Sequence, residues 1–508
     1  QQICVEGFRT MIRPLTQSQR SLASIASTIN AKSELSVSDL EKIAVTGIAS
    51  SSSDVEPGDL FCAFAGAKVH GATFAKDAIK SGAVAILTDA EGAKLIKGLP
   101  VLVVTEPRKR AAILTSWFYG EPMRDLFSIG ITGTNGKTTV STLCHQIFQS
   151  AGQETGLIGT VETRIGNEVL ASTRTTPEAA ELQALVATMR ERHCRNLVME
   201  VSSHAIALER IRGSYFAAVG FTNLSQDHLD FHPSMEDYFA TKSKLFTYEY
   251  ADQAFINIDD SYGQILAEKT ELPVQSLSRF NEDATWHYTR IEEGIAHSDI
   301  SIRGVGGVLI DSRTTLRGGF NFDNLLMAVA ICVESGIDPM DIQTLIPHLV
   351  GAVGRLEPVN LGQNFTALVD YAHSPDAVAR VLAAAREMTD KRVIGVLGCG
   401  GDRDNSKRSI MGQELSLRSD VAIYTSDNPR SENPQAILEQ MTQGLKISEP
   451  SAIVQDRAEA IKLAVNLAQP GDVIIVLGKG HERGQEIAGV VHPFDDRLVL
   501  AHAIEAKK

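Results

Sequence analysis

The stretch that most constrains the fold is GITGTNGKTTV, residues 130–140. An apolar segment, residues 127–131, precedes it, and apolar residues at helical spacing follow it. A strand, a glycine-rich loop and a helix in this order are typical of a phosphate cradle, whose backbone N–H groups point at phosphate oxygens. Ile131 replaces the first glycine of the usual P-loop pattern, but the core TGTNGKTT remains. The residues expected to hold a nucleotide are Gly133, Thr134, Asn135, Gly136, Lys137, Thr138 and Thr139.

Two of these residues predict a metal-assisted phosphate chemistry. Lys137 would reach the β- and γ-phosphates, and the Thr138 hydroxyl would bind Mg²⁺. Such a loop needs an acidic metal partner at the end of a neighbouring strand, and Glu200 follows the short apolar run 197–199. A surface carboxylate is the alternative, but the position of Glu200 directly before VSSH favours the metal role.

A second polar cluster follows another apolar strand, in FTNLSQDHLDFH at residues 221–232. The residues in it that could form a site are Asn223, Asp227, His228, Asp230 and His232. A lone histidine is usually structural, but this density is typical of a site. His228 is the favoured ligand because neutral imidazole binds metals well.

Chain length and strand pattern predict an α/β protein of three domains, because 508 residues exceed one hydrophobic core. The predicted domains are residues 1–120, 121–355 and 356–508. In the last of them strands alternate with helices, which predicts a parallel, doubly wound sheet. Its predicted strands are residues 365–370, 392–398, 421–426 and 472–478, and its first predicted helix is residues 374–388.

The overall charge and composition exclude several classes of function. A net charge of −14 argues against nucleic acid as the partner. No apolar run reaches the length of a membrane span, and the first 25 residues contain no apolar signal core. The six scattered cysteines form no CxxC pair and predict reduced thiols in a cytoplasmic protein. No Asn-Lys-x-Asp segment is present to read guanine, which favours ATP over GTP.

Eight ordered motifs between about residues 40 and 500 resemble those of the Mur ligase family. They are TGTNGKTT, MEVSSHAIALERI, FTNLSQDHLDFH, GRLE, VDYAHSPDA, GCGGDRD, SDNPRSENP and GKGHE. The resemblance implies an N-terminal UDP-binding α/β domain, a central P-loop ATPase domain and a C-terminal Rossmann-like domain that brings the incoming amino acid.

The resemblance is strongest to the family members that add the third residue of the peptidoglycan stem peptide. It implies an ATP-dependent amide ligase that adds meso-diaminopimelate to the D-Glu side-chain carboxylate of UDP-MurNAc-L-Ala-D-Glu. That carboxylate would attack the γ-phosphate of ATP and give an acyl phosphate, which the amine of the amino acid would then attack. The implied partners are these small molecules, with no nucleic acid and no membrane, and the protein is expected to be a monomer.

The same resemblance implies ATP and Mg²⁺ as cofactors and a modified lysine. One Mg²⁺ would be held by Thr138 and Glu200, and a second would lie near His228. Lys242 occupies the lysine of the family pattern K-x-x-L-[F/Y], which reacts with CO₂ to form a carbamate, whereas Lys244 is out of phase. The carbamate requires a neutral amine, so a buried lysine with a lowered pKa is expected. Two solvated lysines on a helix are the alternative.

Further positions carry over from the family to the nucleotide and the UDP-linked substrate. Those expected to bind ATP are Asn324, Arg355 and Asp370. Those expected to bind the UDP-linked substrate are Ser52, Lys68, Thr175, Thr176, Ser202 and Arg210. Ser51–Ser53 stand where the family usually has Asp-Ser-Arg, so only the central serine is kept. His373 is equally well explained as a phosphate contact or as a packing residue before a helix.

The segment SDNPRSENP bears on which amino acid is added. Family members that use diaminopimelate carry Asp-Asn-Pro-Arg, and an arginine can hold a carboxylate in a bidentate pair. The residues that the resemblance assigns to the amino acid are Arg403, Asp427, Asn428, Pro429, Arg430, Gly478 and Glu482. L-lysine and L-ornithine remain open as substrates, because some lineages break this correlation.

Two rival functions remain. The first is another amide ligase of the superfamily, such as a different Mur ligase or a folylpolyglutamate synthetase, against which DNPR and GKGHE argue. The second is a P-loop binding module without chemistry, against which the set Lys137, Glu200, His228 and Lys242 argues.

Overall fold

Three sheets follow one another along the chain. The protein is described by a computed structural model that covers residues 11–507 except 17, 67–68, 171, 173, 230 and 294–296. The α/β fold class predicted from the sequence is confirmed. Nothing tests the domain boundaries after residues 120 and 355, which stay predictions.

The first sheet is small and parallel, with strand order β3-β4-β5-β6, beside an antiparallel pair of β1 and β2. Its strands β4 and β5 are buried throughout, as expected for a sheet covered on both faces. The elements in this part are β1 (Arg20–Ser21), α1 (Leu22–Thr28), α2 (Val37–Glu41), β2 (Ala44–Val45), β3 (Gly47–Ala49), β4 (Asp59–Cys62), α3 (Ala75–Lys80), β5 (Ala85–Thr88), α4 (Ala90–Ala93), β6 (Val101–Val103) and α5 (Pro107–Phe118).

The second sheet has eleven strands in the order β10-β9-β8-β11-β7-β12-β13-β14-β15-β16-β17. Its elements are β7 (Phe127–Thr132), α6 (Lys137–Ser150), β8 (Thr155–Ile158), β9 (Thr163–Ile165), β10 (Glu168–Leu170), α7 (Ala179–Glu191), β11 (Asn196–Glu200), α8 (Ser203–Ala207), β12 (Ala218–Phe221), α9 (Met235–Ser243), β13 (Ala254–Asn257), α10 (Ser261–Lys269), β14 (Val274–Ser278), β15 (Trp286–Glu293), β16 (Ser298–Arg303), β17 (Leu309–Thr314), α11 (Gly319–Glu334) and α12 (Pro339–Leu345). Counted in their spatial order in the sheet, the strands from β8 to β15 pair in parallel. Antiparallel strands extend both edges, β9 and β10 on one side and β16 and β17 on the other.

The glycine-rich loop lies at the centre of this sheet, because β7 pairs with β11 on one side and with β12 on the other. The register opposes Ile131 to Glu200 and Thr132 to Phe221. The carboxyl ends of the three strands therefore meet at one edge. Ligands of open α/β sheets bind at such an edge, where consecutive strands lead to opposite sides.

The third sheet has the order β18-β19-β23-β20-β21-β22 and is parallel except for the short β18. Separate apolar clusters cover its two faces, which confirms the predicted doubly wound arrangement. The strands β24 and β25 form a separate antiparallel pair. The elements in this part are β18 (Glu357–Pro358), β19 (Thr366–Asp370), α13 (Pro375–Glu387), β20 (Val393–Cys399), α14 (Ser406–Arg418), β21 (Val421–Ser426), α15 (Pro434–Met441), β22 (Ala452–Ile453), α16 (Arg457–Leu467), β23 (Val473–Leu477), β24 (Gly484–Ile487), β25 (Val490–Pro493) and α17 (Asp496–Lys507).

The described residues bear on two expectations from composition, which concern membrane-spanning segments and the state of the cysteines. None of the described helices combines the length and the hydropathy that crossing a membrane requires. Five cysteines lie in the described part of the chain, and all five are buried and free. Cys4 lies outside the described residues.

Candidate functional site

The glycine-rich loop has a backbone that only glycine fits at two positions. Gly133 has φ 144°, and a Cβ there would lie 1.9 Å from the Thr222 hydroxyl oxygen. Gly136 has φ 89° and precedes the first residue of α6, and its Cβ would lie 2.4 Å from Asn324 Oδ1. Left-handed backbone at these positions turns the loop over the start of α6, where N–H groups and the helix dipole favour an anion.

The loop is held from one side by the segment that follows β12. The backbone N–H of Thr134 donates to the carbonyl of Asn223 at 2.8 Å, and the N–H of Asn135 donates to Asn223 Oδ1 at 3.1 Å. The Thr134 hydroxyl lies 3.2 Å from the Ser225 carbonyl and 3.3 Å from the Tyr238 hydroxyl. These bonds fix the cradle before any ligand binds, which is the preorganisation that phosphate chemistry requires.

The side chain of Lys137 lies across the glycine-rich loop. Its Nζ donates to the carbonyls of Gly133 and Thr134, each at 2.9 Å. Burial lowers the pKa of its ammonium, and the negative charge of Glu200 opposes that shift. A cation held by two loop carbonyls at a half-buried position is placed to meet phosphate oxygens.

Glu200 ends β11 and is fully buried. Thr160 orients its carboxylate: the Thr160 N–H donates to Oε1 at 2.8 Å, and its hydroxyl donates to Oε2 at 2.9 Å. Glu200 and the buried Thr138 line the same cavity. This arrangement supports the predicted pairing of a hydroxyl and a carboxylate on one hard cation.

His228 lies opposite the loop and has a left-handed backbone, with φ 56°. Such strain in a non-glycine residue is concentrated at functional sites. Its Nε2 lies 3.6 Å from Asp227 Oδ2, and its ring packs edge-on against His204 with ring centroids 5.0 Å apart. Burial lowers the pKa of His228 to about 4, so the imidazole is neutral near pH 7 and keeps a free lone pair.

Lys242 is the buried lysine of its helix, with 1% of its surface exposed, whereas Lys244 is exposed. Its Nζ donates to the Gly133 carbonyl at 2.9 Å and lies 4.7 Å from the centroid of the Tyr238 ring. Burial lowers the pKa of Lys242 far below its usual value, and the nearby charge of Lys137 lowers it further. Among the described residues, no carboxylate lies within ion-pair distance of this amine.

A cavity of about 570 Å³ opens onto the loop, Glu200 and His228. Arg355 and Asp370, for which ATP binding stays a prediction, also line this cavity. The Arg355 guanidinium lies over the Tyr371 ring at 4.8 Å. Asp370 accepts backbone hydrogen bonds from Leu356 at 2.7 Å and from Ala372 at 2.8 Å, which ties the segment after Arg355 to the third sheet. Burial raises the pKa of Asp370, and Arg355 opposes that shift.

A second cavity, of about 330 Å³, adjoins the first behind the glycine-rich loop. The buried Asn324 lines both cavities, and its amide donates to Asn321 Oδ1 at 3.2 Å. Arg380 of α13 also lines both and donates to the Ser225 hydroxyl at 3.1 Å, which links the third sheet to the second. The two cavities together leave room for a base beside Asn324 and for phosphates at the loop.

The positions predicted to contact the UDP-linked substrate are partly engaged by the protein itself. Thr175, Thr176, Ser202 and Arg210 all line the first cavity. The Thr176 hydroxyl donates to the Glu200 carbonyl at 2.8 Å. The guanidinium of Arg210 pairs with Glu178 at 3.0 Å, and burial lowers its pKa.

A third cavity, of about 340 Å³, contains most of the residues predicted to bind the amino acid. Of the seven predicted residues, those that line it are Arg403, Asp427, Asn428, Arg430, Gly478 and Glu482. The Arg430 guanidinium donates to the Gly401 carbonyl at 2.7 Å and lies 3.5 Å from the Glu486 carboxylate. Pro429 is buried at the base of the Arg430 loop.

The first and third cavities share one wall. The residues common to both are His204, Asp227, His228, Tyr371, His373 and Arg403. The imidazole of His373 lies in this wall with its Nδ1 2.7 Å from the Tyr371 carbonyl, and burial lowers its pKa. The two cavities are therefore adjacent at His228.

Several predicted residues lie elsewhere. Ser52 belongs to the N-terminal sheet region and does not line any of the three cavities, and Lys68 lies outside the described residues. His232 is buried and pairs with Asp237 at 2.9 Å, so it has a structural role in the fold. Asp230 also lies outside the described residues. Within the described part of the chain, no three His, Cys, Asp or Glu side chains converge as a metal ion held by protein alone would require.

Sequence reasoning missed other residues of the site. Thr160, which orients Glu200, belongs to no recognised motif and could not be found by local pattern. His204, Tyr371 and Lys479 stand within the quoted motifs but received no role. Their position inside those motifs was the feature of the sequence that could have indicated a role in the site.

Three family models match the chain in order. The Mur ligase family catalytic domain matches residues 44–113, the Mur ligase middle domain matches residues 131–332, and the Mur ligase glutamate ligase domain matches residues 354–480. The matches cover each of the three sheets.

Curated relatives match almost the full chain. The UDP-N-acetylmuramoyl-L-alanyl-D-glutamate–2,6-diaminopimelate ligase of Streptomyces coelicolor is 48% identical over 470 residues, which are 91% of this chain and 92% of the relative. The enzyme of the same name from Corynebacterium glutamicum is 43% identical over 482 residues, which are 92% of this chain and 93% of the relative.

Solved structures show the same architecture. A structure of a UDP-N-acetylmuramoyl-L-alanyl-D-glutamate–2,6-diaminopimelate ligase matches with a TM-score of 0.68 and 30% identity, over 96% of this chain and 99% of that one. The folylpolyglutamate synthase of Mycobacterium tuberculosis, complexed with ADP and AMPPCP, matches with a TM-score of 0.60 and 17% identity, over 74% of this chain and 92% of that one. The second match shows a shared fold only.

Proposed function

The chain belongs to the Mur ligase family, and on that premise we propose that it is an ATP-dependent amide ligase of peptidoglycan precursor synthesis. It joins 2,6-diaminopimelate, as the meso isomer, to the D-Glu side-chain carboxylate of UDP-MurNAc-L-Ala-D-Glu. The names of relatives at 39–48% identity support this substrate assignment.

The observation that carries the proposal is the shared wall between the loop cavity and the Arg430 cavity. An acyl phosphate formed at the loop must be reached by an amine without leaving the protein. The wall beside His228 and Arg403 is where the two chambers meet, so the two half-reactions would take place next to each other. Holding both reactants in one enclosed space supplies much of the catalytic advantage of such an enzyme.

In the first step, the carboxylate of the UDP-linked substrate attacks the γ-phosphorus of ATP, the bond to the β-phosphate oxygen breaks, and ADP leaves. Two anions must approach each other, so positive charge has to be in place beforehand. Lys137 supplies it from the loop, where two carbonyls hold its ammonium. Arg355 and Arg403 add cationic charge from the opposite wall.

The residues around the loop also fit Mg²⁺. Thr138 offers a hydroxyl and Glu200 a carboxylate whose two oxygens Thr160 already orients. Mg²⁺ commonly takes one or two such protein ligands together with phosphate oxygens and water. When bound, it would supply neutralisation of phosphate charge during transfer.

We assign a second cation to the neighbourhood of His228 and Lys242, with Lys242 as a carbamate. An ammonium at Lys242 would repel a metal, whereas a carbamate would attract one. The burial of Lys242 and its lowered pKa favour the neutral amine that reacts with CO₂. The neutral imidazole of His228 has a lone pair for the same cation.

In the second step, the amine of the amino acid attacks the acyl carbon, a tetrahedral intermediate forms, and inorganic phosphate leaves. Arg430 would hold the distal carboxylate of diaminopimelate, and Arg403 the other carboxylate. Glu482 and Gly478 would receive the distal ammonium. All these residues belong to one chain, so we propose that a monomer suffices, and that it works in the cytoplasm, where ATP is available.

The first experiment measures ADP release from purified protein with ATP, Mg²⁺ and UDP-MurNAc-L-Ala-D-Glu. Meso-diaminopimelate, L-lysine and L-ornithine are added separately. Release is expected with diaminopimelate because only this substrate offers a distal carboxylate to Arg430. Preference for L-lysine or L-ornithine would keep the ligase but contradict the specificity. Folded protein without amino-acid-dependent release would favour a different acceptor, as in a folylpolyglutamate synthase, or a binding module.

Replacement of Arg430 by methionine is expected to lower selectivity for diaminopimelate over L-lysine by about tenfold to a hundredfold, because a charged hydrogen-bond partner of the distal carboxylate is lost. The measurement compares kcat/KM for the two amino acids. Arg418→Met is the matched control, since Arg418 is a partly exposed arginine on α14 that pairs with Glu414. Equal selectivity in both variants would contradict the role given to Arg430.

A further inference from the structure

Lys479 is a fully buried cation next to the amino-acid cavity, and the reaction described above gives it no role. Its side chain is 0% exposed, and it does not line the cavity itself. The flanking residues Gly478 and Gly480 have φ values of 114° and 52°. Their left-handed backbone lets the loop reverse direction around a lysine that is enclosed by the protein.

The ammonium of Lys479 has one acceptor for each of its three N–H donors. Its Nζ lies 3.4 Å from Asp427 Oδ1, 3.0 Å from Asn428 Oδ1 and 3.1 Å from Glu482 Oε2. A lysine ammonium has three donors and no acceptor, so none remains for a substrate. Any effect of Lys479 on catalysis must therefore act through these three neighbours.

All three neighbours line the amino-acid cavity. Asn428 Oδ1 accepts from Lys479 and from the backbone N–H of Glu486 at 3.0 Å, and its Nδ2 donates to Glu482 Oε2 at 2.8 Å. Lys479 thus fixes which way the Asn428 amide points and holds the Glu482 carboxylate against it. A carboxylate held by two donors has one defined position from which to meet a substrate.

The charge of Lys479 offsets part of the negative charge of the carboxylates that it contacts. Asp427 and Glu482 each carry one negative charge and Lys479 carries one positive charge, which leaves one net negative charge. One substrate ammonium would neutralise it. Without Lys479 two carboxylates would face each other at the cavity wall, where like charges repel.

We propose that Lys479 is a positioning residue that holds Asp427, Asn428 and Glu482 in place and at one net negative charge for the distal ammonium of the amino-acid substrate. This inference rests on the proposed function. The distal end of diaminopimelate carries both an ammonium and a carboxylate, whereas that of L-lysine carries only the ammonium. A second negative charge in the cavity would favour L-lysine over diaminopimelate.

The test is Lys479→Met, assayed by ADP release at varied concentrations of each substrate. The KM for diaminopimelate is expected to rise by about tenfold or more, because charged hydrogen bonds that position its partners are lost. The KM for ATP stays unchanged, and the ratio of kcat/KM for diaminopimelate to that for L-lysine falls. A purely structural defect would lower kcat/KM for both amino acids by the same factor, and that result would overturn the proposal.

Two further variants separate charge from folding. The double variant Lys479→Met with Asp427→Asn restores one net negative charge, and it is expected to recover part of the selectivity and to fold if the single variant does not. Arg392→Met is the control, because it removes a 2.6 Å ion pair with Asp472 at the amino ends of β20 and β23, whereas Lys479 follows the carboxyl end of β23. This variant should lower thermal stability without changing the ratio of kcat/KM for diaminopimelate to that for L-lysine. A wild-type protein that releases no ADP with diaminopimelate would contradict the proposed function itself, independently of any variant.

Discussion

Replacement of Lys137 by methionine is expected to lower ADP release by about a thousandfold or more. The ammonium of Lys137 contacts two loop carbonyls, those of Gly133 and Thr134, at the start of α6. Preorganised cations and donors at phosphoryl groups contribute effects of this size, because they stabilise charge that redistributes in the transition state. Methionine keeps an unbranched side chain of similar size, and it removes the ammonium with its charge and its three N–H donors.

Two measurements on Lys137→Met separate catalysis from binding: the kcat for ADP release and the affinity for ADP. The kcat for ADP release should fall far more than the affinity for ADP, since the backbone N–H groups of the loop and the start of α6 remain. Thermal denaturation serves as the folding control. A variant with lost nucleotide affinity and an unchanged kcat at saturation would contradict the role assigned to Lys137.

The parts of the fold that local patterns determine were predicted correctly. The glycine-rich loop between β7 and α6 follows from a short stretch in which glycines and a lysine have fixed spacing. The third sheet follows from strands that alternate with helices. The helix predicted at residues 374–388 is α13, Pro375–Glu387, which begins at a proline in the first turn.

The antiparallel extensions of the central sheet were not predicted. Strands β9 and β10 at one edge have three residues each and pair across Gly166 and Asn167, whereas β15, β16 and β17 at the other edge pair in chain order, so these pairings join segments that are close in sequence. Antiparallel register is set by which face is buried and by turn geometry, and neither is visible in a short apolar run.

The candidate site shows the same division between local and distant information. Glu200 was selected because it ends an apolar strand, and His228 because polar residues are dense in the segment after β12. Thr160 could not, because its bond to Glu200 joins residues 40 positions apart and no local pattern marks it. His232 was grouped with His228 by density alone, yet its ring turns away to Asp237, since side-chain direction depends on the local helix.

The second large effect is expected on replacement of Lys242, and Lys244 on the same segment provides a matched control. They lie two residues apart, but Lys242 is buried beneath the glycine-rich loop and Lys244 is exposed. Lys242→Met is expected to lower ADP release by about a hundredfold to a thousandfold, because the anion that the carbamate would provide beside His228 is lost. Lys244→Met should retain wild-type activity, since a solvated lysine contributes little to a distant site.

The carbamate can be tested apart from activity. Wild-type protein equilibrated with isotope-labelled bicarbonate should show one carbamate signal by NMR, which Lys242→Met removes and Lys244→Met keeps. The reason is the environment of the amine: burial and the charge of Lys137 both lower the pKa of Lys242, which favours the neutral amine that attacks CO₂. The Lys244 side chain is exposed to solvent instead. A signal that survives in Lys242→Met, or equal activity in the two variants, would contradict the modification and leave Lys242 as a structural donor to the Gly133 carbonyl.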